Sequence, residues 1–284
     1  PIMREEGYAF SDLGGDRQRY GHFGWENAGR EWRFDISKRS LQEKDDPVGF
    51  EVALYKASPE EVDAVIAVHD REPLRVKRTR ELYELLLSRK ERQVWLAKDR
   101  EGITAYAVSH PSHPDKNSQQ IAEFGGSAEG MHAILIYLTA VIGGEVHIHS
   151  PWSHPLNTLF FSIGSEWSLE PTHMLKIFDL KATLCGFADQ LCAKYRELGF
   201  QGKRAVALEV DGTDQRVEIG FSPEAMIVRE SPQFSRLLTL SERDMVRFIF
   251  GPSPPSAAVN LPADVRFLEA ILPVDFYIWH NDNV

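Results

Sequence analysis

Apolar and polar positions alternate at Trp32, Phe34 and Ile36, a period of two that predicts a strand. Residues 42–49 are charged and hold Pro47 and Gly49, which reads as a linker. A strand is predicted at 52–55, followed by Ser58-Pro59-Glu60-Glu61. Ser is a helix N-cap, Pro suits the first helical position, and Glu61 stands where a capping box puts its acid. Val62, Val65, Ile66 and His69 then share one helical face. A second helix is predicted from Thr79, with Leu82, Leu85 and Leu86 inward. Strand-like runs follow at 94–98, 103–109 and 120–124. A long helix begins at Ser127, buries Met131, Ile134, Leu135, Leu138 and Ile142, and stops at Gly143-Gly144. A strand at 145–149 and a helical run at 156–163 complete a β-α-α-β-β-β-α-β-α order, a layered mixed α/β domain.

A third pattern starts near Met174. A strand at 175–178 leads into a helix from Asp179 that carries Leu184, Phe187, Leu191 and Tyr195. Strands are predicted at 205–210 and 216–221 around the turn pair Asp211-Gly212, then at 225–229 and 236–240. A helix capped by Ser241 runs to Phe250, and GPSPP stops it. The tail from Pro262 is predicted helical before LPVDFYIWHNDNV. This is a small α+β domain.

The 284 residues are 43% hydrophobic and 26% charged, which excludes disorder, collagen and coiled coil. The longest apolar run, 133–143, is about half the ~20 residues that span a bilayer. A formal charge of −10 argues against nucleic acid and leans toward cationic small molecules. Cys185 and Cys192 lie seven apart in a helical pattern, about 10 Å along the axis and out of disulfide reach. Both read as buried free thiols, which points to the cytoplasm. The first residue is Pro1 and not Met, so the chain reads as a processed product, a cut piece or the tail of a longer reading frame.

His147 and His149 form an H-x-H pair on a predicted strand, with His154 and His110 in nearby loops. No Asp or Glu lies between His147 and His154, so these read as polar strand-end residues and no metal site is expected. G-x-S-x-G and G-x-x-x-x-G-K-S/T are absent, which leaves serine hydrolysis and ATP use unsupported.

The run LGGDRQRYGHFGWE contains Arg19 to Glu26, which resembles the Y-x-x-F-G-F/Y/W segment at the end of a GNAT acetyltransferase domain. The element order over 50–165 also resembles the GNAT arrangement. MLKIFDL and the aromatic tail resemble a sterol-carrier-protein-like domain. Together these resemble the tandem acetyltransferases of the Eis (enhanced intracellular survival) type. The resemblance implies an α/β plus α+β chain: residues 1–45 the remnant of a first, catalytic GNAT domain, 46–170 a second, degenerate one, and 171–284 the sterol-carrier-like domain. It implies acetyl transfer from acetyl-CoA to primary amines of cationic acceptors (aminoglycosides, polyamines or lysine side chains), and homo-oligomers. Tyr20 is implied as the general acid and the C-terminal carboxylate of Val284 as the proton acceptor. Trp25 would wall the acceptor pocket and Asp282 attract its charge, while Asp275 reads as a solvated turn acid.

GNAT enzymes hold the acetyl-CoA pyrophosphate on a loop R/Q-x-x-G-x-G/A at a helix start. The equivalent junction here is AEFGGSAEGMHAI, 122–134. It has Gly125, Gly126 and Gly130 but no Arg, Lys or Gln, and Glu123 and Glu129 flank it with the wrong sign. No cofactor-binding residue is therefore expected, and the chain alone is expected to be inactive. The alternative is a non-catalytic lipid-binding or scaffold protein that uses its sterol-carrier-like domain.

Overall fold

A computed structural model describes residues 2–42, 47–112, 117–230 and 236–282. The chain divides into two compact units. One comprises Pro1–Arg30 with Pro171–Phe276, and the other Glu31–Glu170 with the C-terminal segment from Tyr277. The break after Arg30 cuts through the first predicted segment, and the C-terminal segment leaves the third. The physical reason is strand pairing: Phe10–Leu13 and Glu26–Ala28 both pair with His173–Ile177, whereas Glu31–Ile36 pairs with strands of the other unit.

In the second unit, seven strands form one sheet: β1 (Glu31–Ile36), β2 (Glu51–Leu54), β3 (Gln93–Lys98), β4 (Ile103–Pro111), β5 (Ser118–Gly126), β6 (Glu145–Pro151) and β7 (Glu166–Glu170). Their spatial order is β2-β3-β4-β5-β6-β1-β7. All neighbours are antiparallel except β5 and β6, which pair in parallel only at Ser118–Ile121 against Glu145–Ile148. Beyond Ile121 and Ile148 these two strands are no longer paired with each other.

Helices α1 (Pro59–His69) and α2 (Arg80–Leu87) bury Val65, Val68, Tyr83 and Leu87 against Leu96, Tyr106 and Val108. Helix α3 (Ala128–Ile142) packs Met131, Ile134, Leu135 and Leu138 against Phe34, Ile121 and Phe124. Ser127 caps α3 by accepting from the Gly130 N–H, and Gly143 ends it in the left-handed conformation that glycine adopts without strain. Helix α4 (Asn157–Ile163) follows β6. Two local expectations change. In α2, Tyr83, Leu86 and Leu87 turn inward while Leu85 stays 64% exposed, because the helix rotates to bury the tyrosine ring beside His69. Glu61 does not close a capping box; its carboxylate accepts from the Lys56 N–H at 2.6 Å and pairs with Lys98.

In the first unit, the predicted hairpin strands are present as Arg204–Val210 and Arg216–Phe221, flanked by Met226–Arg229 and, in parallel, Arg236–Leu240. Helix Glu242–Phe250 buries Met245, Phe248, Ile249 and Phe250. The predicted helix from Asp179 is two helices, Leu180–Gly186 and Ala188–Glu197, broken at Phe187. The break puts the cysteines on different helices. Both are free, but Cys185 is exposed and only Cys192 is buried. Among the described residues of the tail from Pro262, only Leu268–Ile271 is α-helical. Among the described residues, no helix is long and apolar enough to cross a membrane.

Candidate functional site

The parting of β5 and β6 opens a wedge at the carboxyl ends of two parallel strands, beside the N-terminus of α3. In an α/β sheet that is a place for a ligand. Here the chain's own C-terminal segment fills it. The fully buried Trp279 ring stands edge-on to Phe124 at 5.0 Å and to Tyr277 at 5.1 Å, and its Nε1–H donates to the Leu74 carbonyl at 3.2 Å. The Asn281 N–H donates to the Ala122 carbonyl at 3.3 Å, one residue past the last β5 position that pairs with β6.

The tail brings a buried charge network with it. Arg78 forks onto Glu123 at 2.9 and 2.6 Å and onto Asp282 at 2.8 and 2.6 Å. Tyr106 donates its hydroxyl hydrogen to Glu123 at 2.6 Å, Asn281 donates its amide at 3.0 Å, and His69 Nδ1 lies 3.3 Å away. Burial alone would raise the Glu123 pKa. Hydrogen bonds from His69 and Arg78 outweigh it and hold the carboxyl well below its ordinary range. Glu123 therefore does not oppose an anion at the glycine loop, because Arg78 neutralises it. Asp282 likewise is no free anion awaiting a cation, since both its oxygens accept from Arg78.

The glycine loop borders a cavity of about 600 Å³ lined by Glu72, Ile103, Thr104, Gly126, Ser127 and His154, among others. Gly126 has φ +108°, and a Cβ there would stand 2.1 Å from the Thr104 carbonyl oxygen, so only glycine fits. Its N–H, the donor an anion would use, already donates to Glu72 Oε1 at 2.7 Å. The other Glu72 oxygen lies 2.8 Å from His154 Nε2. The Gly130 N–H is taken by Ser127 Oγ at 3.1 Å. An internal carboxylate thus occupies the anion position at the start of α3.

Tyr20 and Trp25 belong to the first unit. Tyr20 ends the short helix Arg17–Tyr20, which Asp16 caps by accepting from the Gln18 N–H. Its half-exposed ring packs on Gly15, where a Cβ would meet it at 2.5 Å, and on the Arg19 guanidinium at 5.4 Å. Its hydroxyl has no hydrogen-bond partner among the described residues. Trp25 is half-buried and edge-on to Phe178 at 6.5 Å. In the same unit, the buried Glu26 carboxylate accepts from Arg17 at 2.9 Å and Arg243 at 2.8 Å. Asp275, expected as a solvated turn acid, pairs with Arg30 and Lys194 at 3.2 and 2.9 Å. Val284 lies outside the described residues.

The histidines of β6 meet carboxylates from β1, the strand beside it. His147 Nδ1 lies 2.7 Å from Asp35, and His149 Nδ1 lies 2.8 Å from Glu31. Glu31 also accepts from the Tyr277 hydroxyl at 3.0 Å and sits 3.2 Å from His280 Nε2. Period-two logic puts Glu31, Arg33 and Asp35 on the face opposite Phe34, so this polar face was readable; its partner His280 was not.

Burial would raise the Glu31 pKa, but hydrogen bonds from His149 and His280 hold it down to about 2. A lowered carboxyl pKa contributes stability that is complete above the ordinary value of 4.5 and is lost as pH falls toward about 2. The contribution is on the order of 3 kcal/mol. The urea midpoint of the wild type is expected to fall across that window, and Glu31→Gln is expected to flatten the fall. An identical pH dependence in the variant would show that Glu31 is not a source of it.

No protein-family model matches the chain, and no curated relative matches it. Solved structures do. A GCN5-related N-acetyltransferase from Kribbella flavida superposes with a TM-score of 0.66 at 18% identity, covering 97% of this chain and 71% of that one. A GCN5-related N-acetyltransferase from Anabaena variabilis gives 0.64 at 16% identity, covering 98% and 73%. Eis1 from Mycobacterium abscessus gives 0.63 at 15% identity, covering 98% and 75%. At these identities the likeness is one of fold: over nearly its whole length, this chain has the mixed α/β fold of GCN5-related N-acetyltransferases.

Proposed function

We propose that this chain is the C-terminal portion of an Eis-like N-acetyltransferase. It would serve the transfer of acetyl from acetyl-CoA to a primary amine of a cationic acceptor of the aminoglycoside, polyamine or lysine class. The shared fold and the segment Arg19 to Glu26 support this reading. In it, the amine nitrogen attacks the thioester carbonyl carbon and forms a tetrahedral oxyanion, which backbone N–H groups stabilise. Collapse breaks the C–S bond, and Tyr20 protonates the leaving thiolate as general acid. The attacking ammonium gives its proton to the C-terminal carboxylate of Val284. Trp25 walls the acceptor pocket. Residues 171–276 act as a sterol-carrier-like domain, and the enzyme works as a homo-oligomer.

The observation that carries the reading is the filled cradle. Glu72 takes the Gly126 N–H, and Trp279 and Asn281 fill the wedge beside it. The unit of residues 31–170 is then, in this reading, a GNAT unit that does not hold acetyl-CoA, and the loop that does lies on another GNAT unit. Calorimetric titration of acetyl-CoA into this chain is expected to give no saturable heat. In the acetyl-CoA-competent enzyme, Tyr20→Phe is expected to lower kcat by ~10²-fold with little change in KM. Saturable binding to this chain would refute the placement of the cofactor, and an unchanged kcat would remove Tyr20 from the chemistry.

A further inference from the structure

We infer that Glu31, His149 and His280 form a binding site for a divalent transition-metal ion, with zinc the best chemical match. One ligand atom from each residue lies within 4.8 Å of the other two. Glu31 Oε1 stands 2.8 Å from His149 Nδ1, and Glu31 Oε2 stands 3.2 Å from His280 Nε2. Donors about 2.0–2.2 Å from one zinc ion stand roughly 3–3.5 Å from each other, so the set, spread over at most 4.8 Å, would close in around an ion.

The chemistry of the set fits as well. Two imidazoles and one carboxylate suit zinc and its divalent neighbours, and three protein ligands leave a position open to water. Glu31 is buried, whereas His149 and His280 keep side-chain exposures of 14% and 23%, so an ion has an entry path. Among the described buried carboxylates, Glu123 pairs with Arg78, Glu26 with Arg17 and Arg243, and Glu61 with Lys98, while Glu72, like Glu31, has an imidazole partner, His154. Among the described residues, the ion-pair partners of Glu31 are both imidazoles, groups that release a proton readily and can then bind a metal. Tyr277 donates to Glu31 at 3.0 Å and orients the carboxylate, as outer partners of metal ligands do.

Binding replaces protons. Any proton on the ligating imidazole nitrogens goes to solvent as the two metal–nitrogen bonds and one metal–oxygen bond form, with no redox change. The ligands come from β1, β6 and the C-terminal segment, so the ion would clamp that segment onto the sheet through His280.

The test is a titration of Zn²⁺ into the tag-free chain at neutral pH, followed by calorimetry and by the visible spectrum of the Co²⁺ form. One ion per chain is expected, with proton release and a rise in Tm. His149→Ala and His280→Ala are each expected to weaken binding about 100-fold or more, and Tyr277→Phe by ~10–100-fold. On the wild type, Zn²⁺ should also shield His149 and His280 from diethyl pyrocarbonate, as read by peptide mass spectrometry; this needs no variant to fold. The inference fails if the wild type takes up no Zn²⁺ saturably. It also fails if both alanine variants bind as the wild type does, since the ion would then sit on others of the ten histidines.

Discussion

Arg78→Met is expected to destabilise the protein by about 3–5 kcal/mol, the loss that follows when one partner of a buried ion pair is removed. The Arg78 side chain is fully buried between two carboxylates, and Glu123 is fully buried with it. Without the guanidinium, Glu123 keeps only Tyr106, Asn281 and His69, and its charge lacks a permanent counter-ion. At roughly 2–4 °C per kcal/mol, Tm should fall by about 10 °C. Three comparisons separate this cause from lost packing. Arg78→Lys should recover only part, because an ammonium cannot fork onto two carboxylates as a planar guanidinium does. The double variant Arg78→Met with Glu123→Gln should recover more, because it removes the stranded charge. The sign of the pH dependence should also change. With Arg78 present, Glu123 titrates below its ordinary range, so the pair stabilises above that range and the contribution fades as pH falls. Without it the Arg78 contributions are gone while burial and His69 remain, so Glu123 takes up a proton at higher pH than in the wild type, and the deficit of the variant should shrink on mild acidification. A Tm equal to the wild type would show that the network contributes little to stability.

Sequence reading succeeded where the cause was local. Ser58, Thr79, Ser127, Asp179 and Ser241 each cap the helix they announce, because a cap needs only a side-chain oxygen and N–H groups two or three residues away. The strand runs were legible from period and flanking turns. The candidate site was less so, since its charges are balanced by distant residues. Glu123 looked hostile to an anion because its counter-ion Arg78 lies 45 residues upstream. The carboxylate that takes the Gly126 N–H was not legible either, because it lies 54 residues before it. The H-x-H pair seemed to lack a carboxylate because Glu31 comes from the strand beside it, 118 residues earlier. In helix α2, Leu86 is buried as expected, but Leu82 and Leu85 stay exposed although they satisfy a helical period, because packing rewarded the Tyr83 ring instead. Each miss has the same physical origin: a pattern along the chain reports the spacing of side chains, and the sign of a site depends on what the fold lays against it.

Trp279→Ala is expected to be similarly severe, about 3–5 kcal/mol, the loss that follows removal of a large buried aromatic. The ring is fully buried in the wedge, touching Phe124, Tyr277 and His154 edge-on at 5.0, 5.1 and 6.1 Å. A Cβ methyl would leave that space empty between strands that do not pair with each other there, and the Leu74 carbonyl would lose its donor. Trp279→Phe should restore most of the packing and leave a deficit of about 1 kcal/mol for the missing hydrogen bond. Denaturant midpoints measure both. The second readout is local. If Trp279 anchors the C-terminal segment, hydrogen exchange at the Asn281 N–H should accelerate in the alanine variant more than exchange in β4, and carboxypeptidase should trim the chain faster. The consequence reaches function under the proposed mechanism, in which the carboxylate of Val284 accepts a proton and so depends on the segment before it being held. In the acetyl-CoA-competent enzyme, Trp279→Ala should therefore lower kcat at temperatures where the rest of the fold stays intact. Full activity together with rapid trimming would separate the tail from the chemistry.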